Sequence, residues 1–254
     1  MFAAVPDDVA GEFGVAQLAL GKAIATQVRF LPQAVEVNHA LGITAAAELD
    51  ELAGFYGTRR HAVSTARGVH LDAELRVRGY EPGYAWMKFS RKPGGVQYRS
   101  TDIAVVEVGQ DEDADFGRTV CEGFGMPTLF AHWLARLPGR PGWHCFVCYL
   151  DRAPAAGGAL FVHEDVGWLG LGATRSEFRR RGAQSAILEA RIARAAELRC
   201  SLVVTETGEF AQDRPSTSYR NILGAGFEAC YLRANWVPKA ADPAGGGPDA
   251  SSLT

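Results

Sequence analysis

Residues 170–188 read GLGATRSEFRRRGAQSAIL. A glycine-spaced apolar run ends at Thr174, a polar turn follows, and Arg179, Arg180 and Arg181 stand directly before Gly182. From there the small and apolar residues fall at Ala183, Ala186, Ile187, Ala190, Ala193 and Ala196, a helical stripe with Glu189, Arg191, Arg194 and Glu197 on the other sides. Gly182 therefore opens a helix. The first turn of a helix has amide N–H groups without internal partners, and the aligned peptide dipoles make that end positive, so it can receive a phosphate. Glycine lets the backbone come close, and guanidiniums bond phosphate oxygens in pairs. For helix stability alone, cations there are a poor choice, opposing the dipole by about 0.3–1 kcal/mol each. A local rule broken in this way marks a candidate site. The competing readings are a solvated basic turn and a nucleic-acid patch. No aromatic-rich basic surface accompanies the cluster, and the net charge of the 254-residue chain is -3, which counts against nucleic acid as the main partner.

The wider composition, 47% hydrophobic and 22% charged, is that of a globular protein with enough chain for one large domain or two small ones. The opening MFAAVPDDVAGEFG has neither a basic start nor an apolar core of an export signal, and no apolar run approaches a membrane span. A cytoplasmic protein with no membrane partner is the expectation. The five cysteines, Cys121, Cys145, Cys148, Cys200 and Cys230, fit buried reduced thiols. Cys145 and Cys148 are spaced C-x-x-C, but WHCFVCYL reads as a strand, where such positions point to opposite faces. His132, His144 and His163 show no metal-ligand spacing, so no metal is expected.

Proline and glycine gather at SRKPGGVQYRS around Lys92 to Val96, at LPGRPGW, and at the C-terminal PAGGGPDASSLT; the first reads as a linker and the last as a disordered tail. The organisation expected is a domain at 1–98, a second at 99–239 and a tail at 240–254. Within the second, DIAVVEV is a strand, Asp111 to Arg136 two short helices broken at GFGMP, and WHCFVCYL, GALFVHE and GWLGLGAT further strands. The helix from Ala183 leads to a strand CSLVVTE, a helix from Ser216 and a last strand EACYLRANWV. Hairpins first and helix-linked strands later predict an α/β chain with mixed sheets, parallel in the second half. The first hundred residues repeat this order. HAVSTA, a helical stretch and RVRGYEPGYAWMKF match LVVTET, a helical stretch and ILGAGFEACYLRANW, with Gly79-Tyr80-Glu81 falling where Gly226-Phe227-Glu228 falls. Two copies of one helix-strand-helix-strand unit are predicted, the first without an arginine-glycine loop.

With these residues in place, GLGATRSEFRRRGAQSAIL resembles the acyl-CoA-binding motif of the GNAT N-acetyltransferases, in which an arginine- or glutamine-x-x-glycine-x-glycine/alanine loop opens a helix after a strand. Arg179, Gly182 and the residues to Ser185 match in spacing, and Gln184 departs from the usual glycine or alanine. STSYRNILGAGFEACY is similar to the family's later helix, which runs into a glycine-phenylalanine and a strand. The likeness covers about Thr101 to Val237, and the N-terminal copy looks like a degenerate GNAT half. The fold implied is the acyl-CoA N-acyltransferase fold in two halves. The function implied is transfer of an acetyl group from acetyl-CoA, as co-substrate, to a primary amine of a small molecule or peptide, with a homodimer left open. The alternative is a non-catalytic acyl-CoA-binding or regulatory module.

The resemblance implies that Leu171, Gly172, Ala173 and Thr174 pair with the pantetheine arm and polarise the thioester carbonyl, and that Arg179, Arg180, Arg181, Gly182, Ala183, Gln184 and Ser185 cradle the pyrophosphate. Gly170 and Gly172 make a bulge plausible there, or serve close packing. Acyl transfer to an amine also needs a base and an acid. Glu206, at the C-terminal end of its strand, is the candidate base, against a solvated strand-end carboxylate. Many family members place a tyrosine where Ile222 stands; Tyr219, one turn earlier, is the candidate acid, against a packing role. Ser218 and Asn221 are candidates to bond the pantetheine amides, against ordinary helix-surface polars.

Overall fold

A computed structural model describes Phe2, Val5 and residues 7–95, 103–109, 113–209 and 217–239. The linker at Val96, the residues Asp111 and Glu112 and the tail at 240–254 lie outside the described residues.

The chain forms two mixed sheets. The N-terminal part contributes α1 (Asp7–Phe13), β1 (Val15–Leu20), β2 (Ala23–Val28), β3 (His39–Ile43), α2 (Ala46–Tyr56), β4 (Ala62–Thr65), α3 (Asp72–Val77), β5 (Tyr80–Pro82) and β6 (Trp86–Arg91). The C-terminal part adds β7 (Ala104–Val108), α4 (Asp113–Phe124), α5 (Leu129–Leu134), β8 (Trp143–Leu150), β9 (Ala153–His163), β10 (Val166–Thr174), α6 (Ala183–Glu197), β11 (Leu202–Gly208), α7 (Thr217–Gly224), β12 (Glu228–Arg233) and β13 (Trp236–Pro238). The break between α4 and α5 at GFGMP and the start of α6 at Ala183 fall where the sequence places them.

The repeat is visible in the pairing. β3 and β4 run parallel with α2 between them, as β10 and β11 run parallel with α6 between them. Gly79 and Gly226, at φ 78° and 81°, turn the chain out of α3 and α7 into the strands that follow. The copies also exchange a strand. The first sheet runs β1-β2-β3-β4-β13-β5 and the second β12-β6-β11-β10-β9-β8-β7, so β6 sits in the second sheet where β13 sits in the first. EACYLRANWV, expected as one strand, is therefore two: β12 ends at Arg233, the chain turns through Ala234 and Asn235, and β13 joins the other sheet. Asn235 fixes that turn by accepting from the Ser64 hydroxyl at 2.8 Å and donating to the Tyr84 carbonyl at 2.5 Å.

One apolar cluster joins α1, α4 and α5 to β8, around Phe13, Phe116, Phe130 and Trp133. A second lies under α6 and α7, around Phe89, Ile187, Ile192 and Val203. Fully burying such side chains stabilises the fold by about 1.5–3 kcal/mol each. Cys145 belongs to the first cluster and Cys148 to the second, on opposite faces of β8 as expected. Burial pushes both thiols up, Cys148 to about 11, so both are inert as nucleophiles near neutral pH. Among the described residues no helix is long and apolar enough to cross a membrane, and no His, Cys, Asp or Glu cluster has the form of a metal site.

Candidate active site

The parallel ladder between β10 and β11 is short. It runs from Val166 opposite Leu202 to Leu169 opposite Thr205, and the Thr205 hydroxyl closes it by donating to the Leu169 carbonyl at 2.8 Å. Beyond that rung β10 stays with β9 as far as Thr174 opposite Ala156, while β11 stays with β6 as far as Gly208 opposite Trp86. Two strands held by different neighbours must part, and the facing edges of residues 170–174 and 206–208 are left without a ladder between them. The parting coincides with a bulge: the β10–β9 register shifts between Gly170 and Ala173, and Leu171 has φ 55°. The bulge that Gly170 and Gly172 suggested is present. A Cβ at Gly170 would overlap the outer edge of the Trp168 ring, and one at Gly208 the hydroxyl end of Tyr84, so the two glycines make room for aromatic side chains over the strands.

At the foot of this opening α6 begins. Gly182 has φ 87° and no side chain caps the helix, whose first internal bond runs from Ala186 N–H to the Gly182 carbonyl. The amides of Ala183, Gln184 and Ser185 thus have no helical acceptor. The three arginines divide their work. Arg179 ties the loop down, donating to the carbonyls of Thr174 at 3.3 Å and Gly123 at 3.4 Å. Arg181 pairs with Asp151 at 2.8 Å. Arg180, exposed and with φ 64°, has no ion-pair partner among the described residues. Orphan amides, a left-handed glycine and an uncommitted guanidinium together suit a phosphate.

Gln184 does not obstruct this cradle. Its side chain turns to α7, donating to the Ser218 hydroxyl at 3.2 Å and accepting from Asn221 at 3.0 Å. Ser218 and Asn221 thus bind Gln184 in this structure. Tyr219 packs edge-on to Phe89, with ring centroids 5.0 Å apart, beside the cluster under α7.

Glu206 points away from that cluster, on the opposite face of β11 from Val203 and Thr205. Its carboxylate contacts the Lys88 ammonium from β6 and lies 3.6 Å from Arg233 on β12. Burial, and then the Arg233 guanidinium, push Lys88 down to about 7. Behind these charges stands His39 of the first sheet, hydrogen-bonded to Ser64 at 2.9 Å. Burial first, then Arg233, Lys88 and His61, hold His39 down at about 3, so it is neutral.

No family model matches the sequence, and no curated protein matches it. Solved structures do match. A GCN5-related N-acetyltransferase from Kribbella flavida superposes with a TM-score of 0.62 at 15% identity, over 91% of this chain and 91% of that one. An acetyltransferase of the GNAT family from Colwellia psychrerythraea gives 0.58 at 15% identity, over 93% and 92%. A tandem GNAT protein from the clavulanic acid biosynthesis pathway gives 0.54 at 14% identity, over 78% of this chain and 69% of that one. The fold is that of the GNAT acetyltransferases.

Of the residues picked from the sequence, Leu171 to Thr174 lie on β10 and Glu206 on β11 where the two strands part, Arg179 to Ser185 lead from β10 into α6, Ser218 and Asn221 are tied to α6 through Gln184, and Tyr219 packs on Phe89 on the other face of the sheet from Glu206. Sequence reasoning missed the partners of Glu206, because Lys88 and Arg233 reach it only through the exchanged β6 and its neighbour β12. It also misplaced the inner face of α6. Ala183, Ile187, Leu188, Ile192 and Ala195 are buried, and so are Glu189 and Arg191, which the stripe had put outside.

Proposed function

We propose that this protein is an N-acyltransferase that moves an acetyl group from acetyl-CoA to a primary amine of a small molecule or peptide. The observation carrying this reading is the parting of β10 and β11 at a bulge, directly ahead of the open amide end of α6. Acetyl-CoA, when bound, supplies an activated acyl group as a thioester. The chain's own residues fit it: the amides of Ala183 to Ser185 and the Arg180 side chain hold the pyrophosphate, and Leu171 to Thr174 present the β10 edge that faces away from β9 to an extended amide-bearing arm.

Forming the amide bond takes one proton off the amine nitrogen and returns one to the departing sulfur. We assign the first to Glu206 and the second to Tyr219. Glu206 lies on the face of the sheet that looks toward His39 and the first half, so this half shapes the acceptor side; Tyr219 stands on α7, on the cofactor side. The competing reading, a non-catalytic acyl-CoA-binding module, is favoured by one feature: Glu206 is already held by Lys88 and Arg233.

Calorimetric titration with acetyl-CoA and dephospho-CoA is the decisive experiment. Binding that Gly182→Asp abolishes supports the cradle, and CoA release with an amine then separates enzyme from module. No binding to either compound ends the transferase reading.

A further inference from the structure

We propose that Arg191, inside the core beneath β10, is a positioning residue that fixes the bulge and strengthens the Leu171 N–H as a donor to the acyl carbonyl. This rests on the transferase reading above.

Arg191 is 4% exposed, on the inner face of α6. Its Nε donates to the Ile187 carbonyl of its own helix at 3.1 Å. Its Nη1 donates to the Ala159 carbonyl at 3.2 Å and the Gly170 carbonyl at 2.9 Å. Ala159 and Gly170 face each other across β9 and β10 on the last regular rung before the register shifts. One nitrogen therefore clamps both carbonyls of that rung and sets where the bulge starts. The strands make room on each side of the guanidinium. A Cβ on Gly158 would lie 2.9 Å from Cζ, and one on Gly172 would lie 3.1 Å from Nη2.

The Gly170 carbonyl and the Leu171 N–H belong to the same peptide group. A cation donating to the oxygen draws electron density through the amide and makes its N–H a stronger donor, a gain that is largest in a low-dielectric interior. Burial holds the guanidinium down at about 10, which still leaves it charged at neutral pH. Stability alone gives no reason for such a group. A buried cation that donates to three carbonyls costs desolvation that an apolar side chain of similar size would not, and replacing buried charges by apolar groups is often neutral or stabilising. Leu171 also holds a left-handed conformation with a side chain, which persists only where its surroundings impose it.

The test uses the full chain with acetyl-CoA carrying 13C at the acetyl carbonyl. Calorimetry reads affinity, and infrared difference spectroscopy reads how far the thioester carbonyl stretch falls on binding. Wild type is expected to lower the stretch. Arg191→Met is expected to keep CoA affinity within about threefold while losing most of that lowering, and Arg191→Lys to restore part of it. With an amine acceptor, the loss should fall on kcat and leave KM for acetyl-CoA nearly unchanged. Should Arg191→Met not fold, Gly158→Ala crowds Ile187 Cγ2 and the guanidinium together, displaces Arg191 without removing its charge and is expected to reduce the lowering as well. A folded Arg191→Met protein, or Gly158→Ala in its place, that binds acetyl-CoA with the wild-type carbonyl frequency overturns the proposal and leaves the transferase reading standing. Wild type that fails to bind acetyl-CoA removes both.

Discussion

Asn221 of α7 donates to the side-chain oxygen of Gln184 across 3.0 Å, and through that bond the first turn of α6 holds α7. The structure shows what the Gln184 side chain does: it bridges the start of α6 to α7. Gln184→Ala should loosen α7 and lower stability by about 1–2 kcal/mol, the worth of the bonds to Ser218 and Asn221. Binding of CoA should change little, because the Gln184 amide remains. Thermal unfolding with and without CoA separates the two effects.

The arginines of the loop predict opposite signatures. Arg180→Ala should leave stability within about 0.5 kcal/mol, since the side chain is exposed, and weaken CoA binding about tenfold with a reduced salt dependence. Arg179→Ala should destabilise the loop, because the carbonyls of Thr174 and Gly123 lose their donor. A comparison of calorimetric affinity and melting temperature for the two variants checks the division of labour.

What could be read from the chain in advance was local. Gly182 before an apolar periodic run is enough to start α6, and the arginine-glycine loop and the G-aromatic-E repeat are short patterns whose meaning does not depend on distant residues. Burial of Arg191 was illegible for the opposite reason: a charged residue goes inside only because Gly158 and Gly172, on two other elements, leave space for it. The division of EACYLRANWV between two sheets is likewise set by which strands accept it, and neither Ala234 nor Asn235 is a glycine or proline that would mark the break.

His39 predicts how stability responds to acid. In the folded protein it stays neutral down to about pH 3, whereas in the unfolded chain it takes up a proton near 6.5. Between those values the unfolded state binds more protons, so unfolding becomes easier as pH falls, by up to about 1.4 kcal/mol per unit from this group. Above pH 6.5 the contribution is flat. Denaturant unfolding from pH 8 to pH 4 should show the slope, and His39→Gln should reduce it while itself disturbing the bond to Ser64.

Glu206 carries the sharpest prediction for the chemistry. If it receives the amine proton, Glu206→Gln should lower turnover by about 100-fold or more while CoA affinity stays within about threefold, since the carboxylate lies on the sheet face away from α6. The same substitution leaves Lys88 beside Arg233 with no carboxylate between them, so the lysine should be pushed further down and lose its proton more readily. That second effect can be isolated. Lys88→Met removes the ammonium but keeps the carboxylate, and a base released from its lysine should then act with an altered pH profile and not vanish. Retained turnover in Glu206→Gln would move the proton acceptor elsewhere in the opening. Lost turnover in Glu206→Gln with a shifted profile in Lys88→Met is the outcome expected of a base whose strength is set by the exchanged strand β6.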